Sequence, residues 1–181
     1  CHDGIPLLDL KGLLPEEEIQ SLIERIVSRG GMVKNLHGQK NLYYQVNATY
    51  YSALGASDEK MLLARAIQMF MPGKPQVWYL DLFAGKNDHE AVQRAGESGH
   101  KEINRTNLST DQITEGLKKD VVQKQLALIC MRNTHKAFSE GAEVAISGGE
   151  RSLEIRWKYN SAFATLYVNF ESGTYTIVES R

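Results

Sequence analysis

The stretch Pro72–Asp88, PGKPQVWYLDLFAGKND, sets the tightest limit on what this chain can fold into. Pro72-Gly73 and Pro75 mark a turn. Val77-Trp78-Tyr79-Leu80 then runs apolar and β-prone for about one strand length. A strand that does not alternate has both faces covered, as in a parallel sheet. Gly85-Lys86-Asn87-Asp88 follows as a polar loop. Before the strand, Ser57 to Met71 is an amphipathic helix with Leu62, Leu63, Ala66, Ile67 and Phe70 inward. Helix, short loop, buried strand and polar loop is the order of a β/α barrel, whose chemistry sits on the loops after its strands. In that register Cys1-His2-Asp3-Gly4 ends the preceding strand.

The flanking segments extend the pattern. Pro15 opens a helix whose acidic start, Glu16-Glu17-Glu18, suits the positive end of the dipole. Ile19, Leu22, Ile23 and Ile26 form its buried stripe, and Gly30-Gly31 end it. Residues 32–40 are polar and read as a loop. Residues 88–95 and 111–117 predict short helices separated by a charged loop, and 120–138 a longer helix with Val122, Leu126, Ile129 and Ala137 inward. Beyond Phe138 the period changes. Residues 142–147, 151–158, 162–170 and 174–179 predict four short strands, joined at Gly148-Gly149, Asn160-Ser161 and Ser172-Gly173. The fold class is therefore α/β: the later part of a barrel over residues 1–138, then a small antiparallel β domain over 139–181.

A chain of 181 residues, 42% hydrophobic and with net charge -1, is long enough for a real core. Near-neutrality speaks against a dedicated nucleic-acid or membrane-surface binder, and no apolar run approaches the ~18 residues of a membrane span. The two cysteines, Cys1 and Cys130, form no disulfide framework and read as free thiols of a reducing, cytoplasmic compartment. A start at Cys1, without an initiator methionine, suggests a piece of a longer chain.

His2-Asp3 alone is equally an ordinary His beside a capping Asp. Its company is more specific: Lys11-Gly12-Leu13-Leu14-Pro15, the run from Tyr44 to Gly55, Pro75-Gln76-Val77-Trp78-Tyr79, Ala84-Gly85-Lys86-Asn87-Asp88 and Ile103-Asn104-Arg105. Through these stretches the chain resembles the carboxyl half of the sucrose phosphorylase group of the α-amylase superfamily. The resemblance implies a (β/α)8 barrel with a carboxyl-terminal β domain, and retaining chemistry through a covalent glucosyl-enzyme. It implies that Asp3 is the third carboxylate, which orients the sugar, and that His2 contacts the glucosyl ring. It places the nucleophile and acid/base on earlier strands, in a protein of roughly 500 residues, since ~250 go to such a barrel alone. Tyr44 and Gln45 are implied on a mobile acceptor loop, with Lys101 near glucose.

Two departures bear on the substrate. Leu42 stands where sucrose phosphorylases carry an Asp, and Lys101 where they carry an Arg, so a bidentate fork is lost. Lys34, His37 and Lys40 are then candidates for an anionic acceptor, or a solvated basic loop. The form looks closest to relatives acting on glucosylglycerate or sucrose 6'-phosphate, with glucosylglycerate favoured. The expected ligands are a small glucoside and inorganic phosphate as co-substrate, with no metal or other cofactor. Partners reduce to the missing amino-terminal segment and a second copy of the chain. Water in place of phosphate would make a sucrose-type hydrolase. A reading of another class is a folding or interaction piece without activity of its own. Asp88-His89-Glu90 has the look of a metal cluster, but an acid-rich helix start explains it better.

Overall fold

The structure, a computed structural model, describes residues 2–35 and 43–180. It divides into two compact units, Cys1–Ser57 with Val77–Leu117, and Asp58–Gln76 with Lys118–Arg181.

In the first unit, strand β1 (Ile5–Pro6) leads to helix α1 (Glu16–Ser28), then to strands β2 (Met32–Asn35) and β3 (Tyr43–Asn47). The short helices α2 (Tyr50–Ala53), α4 (Tyr79–Leu82), α5 (His89–Ala95) and α6 (Thr110–Gly116) follow, with a 3-10 helix over Gly96–Asn104. The sheet has the order β1-β3-β2, with β3 antiparallel to both neighbours. Ile5 pairs with Val46 and packs on the buried cluster of Leu7, Ile19, Ile23, Ile26, Val46, Ala48 and Ala53. The α1 stripe is as its spacing predicts, except that Leu22 is exposed. Asn87 ties the unit together: its Oδ1 accepts from Thr49 N at 2.8 Å, its N donates to Ser52 Oγ at 2.9 Å and its Nδ2 to Gly30 O at 3.1 Å.

In the second unit, helices α3 (Asp58–Phe70) and α7 (Asp120–Thr134) accompany the strands β4 (Glu143–Gly149), β5 (Ser152–Tyr159), β6 (Ala162–Asn169) and β7 (Thr174–Glu179), an antiparallel meander in sequence order. The four expected strands are all present, each end within about two residues. By compactness α3 and α7 go with this sheet, a grouping other than the sequence boundary between 138 and 139. Ile155, Leu166 and Ala164 are fully buried, and Trp157 Nε1 donates to Phe70 O at 2.6 Å. The inward face of α7 is Val121, Val122, Gln125 and Leu128. It is rotated from the expected one because Gln125 Oε1 accepts from the buried Arg65 Nε at 2.9 Å.

Three expectations change. The sheet of the first unit is antiparallel, where a parallel barrel sheet is expected, while the meander is antiparallel as expected. Residues 77–80 are not a strand: Trp78 is extended and Tyr79 begins a helical turn. The run fails to alternate because Val77, Trp78 and Tyr79 are all half-buried and the two aromatic side chains hydrogen-bond to backbone carbonyls. Residues 32–35, expected as loop, form β2, and Tyr44 and Gln45 lie on β3 rather than in a loop.

Candidate active site

Asp3 comes just before β1. Its backbone is fixed from β3, whose side chains alternate. Val46 points to the core, while the buried Gln45 and Asn47 both donate their amides to the Asp3 carbonyl. Gly4 makes this close approach possible: its φ is +132°, and a Cβ there would sit 2.9 Å from Val46 O and Asn47 Nδ2. Asn47 Oδ1 is buried with no hydrogen-bond partner among the described residues.

The Asp3 carboxylate has cations on one oxygen and a histidine on the other. Oδ1 accepts from Lys101 Nζ at 3.0 Å and from Arg105 Nη2 at 3.1 Å, and Oδ2 lies 2.9 Å from His2 Nε2. The hydrogen bond from Lys101 is the main reason the carboxyl is held below its ordinary range. Partial desolvation opposes it, and the fields of His2, Lys101 and Arg105 add to it. Asp3 is thus an anion at neutral pH, yet its side chain keeps 42% of its exposure. A fixed, ionised and half-open carboxylate can accept hydrogen bonds from the hydroxyls of a polyol.

Arg105 bridges the site. Its Nε donates to His2 O at 2.9 Å while Nη2 holds Asp3, and Nη1 lies 3.7 Å from Glu102. Trp78 flanks the His2 ring at a centroid distance of 5.4 Å. Arg105 also lines an open groove of about 600 Å³ with Asp88, Arg94, Glu102 and Thr106. Asp88 is the N-cap of α5 and accepts from Ala91 N at 2.8 Å. Among the described residues no group of three or more His, Cys, Asp or Glu is placed to hold a metal ion.

Of the residues singled out in the sequence, the structure brings His2, Asp3, Gln45 and Lys101 together. Gln45 faces the Asp3 backbone, and Lys101 the Asp3 carboxylate. Tyr44 lies on β3 and Lys34 on β2, while His37, Lys40 and Leu42 lie outside the described residues. Arg105 brings a guanidinium to the same Asp3 oxygen that Lys101 contacts. Sequence reasoning passed over Arg105, Trp78 and Asn47. The spacing of Lys101 and Arg105, four residues apart and opposite the Asp of a His-Asp pair, was the available signal.

A clamped carboxylate beside a histidine and an indole can accept hydrogen bonds from ligand hydroxyls. No family model matches the chain. A sucrose 6(F)-phosphate phosphorylase of Ilumatobacter coccineus is 52% identical over 186 residues, covering 98% of this chain and 35% of that protein. A glucosylglycerol phosphorylase of Marinobacter adhaerens is 36% identical over 99% of this chain. A glucosylglycerate phosphorylase of Escherichia coli is 33% identical over 76% of it. The crystal structure of the sucrose 6F-phosphate phosphorylase from Thermoanaerobacter thermosaccharolyticum superimposes with a TM-score of 0.92 at 38% identity, covering 100% of this chain and 38% of that one. The chain is a homologue of the sucrose phosphorylase group and corresponds to the carboxyl-terminal region of its members. It spans about a third of the length of the curated relatives it matches. Within the group the sucrose 6(F)-phosphate phosphorylases are more similar than the glucosylglycerate phosphorylases, which reverses the order the sequence suggested.

Proposed function

We propose that this chain is the part of a retaining α-glucoside phosphorylase that presents the sugar-orienting carboxylate. The observation that carries the reading is Asp3, ionised, half-open and held by Lys101, Arg105 and His2. In this role Asp3 accepts hydrogen bonds from glucosyl hydroxyls and stabilises the positive charge that develops on the ring in an oxocarbenium-like transition state. His2, steadied by Trp78, lies beside the same sugar face. The nucleophile and acid/base belong to the two thirds of the relatives' length that this chain does not span, so the chain alone is inactive. Inorganic phosphate is the second substrate and α-glucose 1-phosphate the product. The protein acts as part of its full-length chain in the aqueous phase, without metal or nucleic acid.

For the acceptor we favour sucrose 6'-phosphate over glucosylglycerate, and both over sucrose. The similarity to the Ilumatobacter protein supports this order. So does Leu42, which removes a carboxylate that would repel a phosphoryl group, and so does the presence of Lys34, His37 and Lys40 nearby in sequence. Charge-assisted hydrogen bonds of this kind contribute roughly 1.5–3 kcal/mol each. The test is competition in the synthetic direction. The full-length protein is given glucose 1-phosphate with equal fructose 6-phosphate, glycerate, fructose and glycerol. Fructose 6-phosphate should be consumed first, and a clear preference for fructose or glycerol would overturn the anionic acceptor.

A further inference from the structure

We infer that Trp78 and Tyr79 are positioning residues that set Arg105 onto Asp3 by holding the backbone carbonyl on each side of it. Trp78 Nε1 donates to Asn104 O at 3.1 Å, and Tyr79 Oη donates to Thr106 O at 2.5 Å. Asn104 is the last residue of the 3-10 helix, and Arg105 leaves helical geometry with φ -126° and ψ 19°. The carbonyls at such an end have no donor within the helix and need one from outside. The two aromatic side chains supply it, and they brace one another at a centroid distance of 4.5 Å. The peptide between those anchors carries the side chain that grips both His2 O and the Asp3 carboxylate. A twist of that peptide would break both contacts at once. Trp78 also rests against the His2 ring, so one residue touches both sides of the clamp. Burial pushes the Tyr79 phenol above its usual range, which keeps it a donor.

The inference rests on the proposed role of Asp3 only for its effect on turnover. Its test is therefore the titration of Asp3 itself. The full-length protein is labelled at aspartate carboxyl carbons, and the Asp3 resonance is assigned as the one missing in Asp3→Asn. The groups facing this carboxylate are His2, Lys101 and Arg105, with Glu102 behind Arg105. Arg105→Gln should move the Asp3 midpoint up. Tyr79→Phe, which keeps the ring, and Trp78→Phe should move it the same way. In the Arg105→Gln background Tyr79→Phe should add nothing. The inference is overturned if Tyr79→Phe leaves the midpoint in place, or shifts it equally without Arg105. Should Trp78→Phe fail to fold, Tyr79→Phe decides alone. Full activity in Asp3→Asn alongside a Tyr79-dependent midpoint would sink the catalytic reading and leave this one standing.

Discussion

Asp88 shows how a single carboxylate couples local structure to pH. Its Oδ1 caps α5 at Ala91 N, and its Oδ2 accepts from Thr106 Oγ1 at 3.1 Å. The backbone hydrogen bond from Ala91 is the largest cause of a carboxyl held below its ordinary range. A group depressed in the folded state contributes stability above its unfolded pKa of 3.8, and loses it as pH falls through the folded value. Asn caps a helix about as well as Asp, so Asp88→Asn removes the charge and keeps the cap. The melting temperature of the variant should lie below the parent's at pH 7, and the gap should close below about pH 4. A gap that stays constant down to pH 2 would mean that the charge at Asp88 does not contribute. Asp3 obeys the same sign, since its carboxyl is also depressed.

At the scale of elements, β5 and β6 anchor the second unit. Ile155 is fully buried, whereas Ile146 on β4 is 50% exposed. Ile155→Ala should cost about 2–5 kcal/mol in urea unfolding, and Ile146→Ala no more than about 0.5 kcal/mol. Equal costs would show that the meander buries a different face. These strands were legible because each hairpin announces itself twice, in alternation and in turn residues. Asn160 and Gly173 adopt φ of 53° and 69° at two of the turns. The segment 77–80 was not legible, because its aromatic residues look like strand formers and act as hydrogen-bond donors. That use depends on where the carbonyls of Asn104 and Thr106 lie, which no local pattern encodes. The same holds within the site. His2-Asp3 stood out as a pair, but Arg105 and Asn47 gain their importance only when residues 102 and 44 positions away in sequence meet at Asp3.

For the whole molecule, similarity to the Ilumatobacter protein covers 98% of this chain but 35% of that relative. No helix among the described residues is long and apolar enough to cross a membrane. The charge of -1 gives no reason to expect a polyanionic partner. One compact unit carries the clamped Asp3 carboxylate and the other a four-stranded meander.

The central claim is that Asp3 works on a glucosyl group. The most direct measurement is release of α-glucose 1-phosphate from sucrose 6'-phosphate and inorganic phosphate, by the full-length protein and by its Asp3→Asn variant. The account predicts release by the parent and a loss on the order of a thousandfold or more in the variant, about 4 kcal/mol of barrier, with the melting transition retained. Near-equal rates in the two proteins would contradict it.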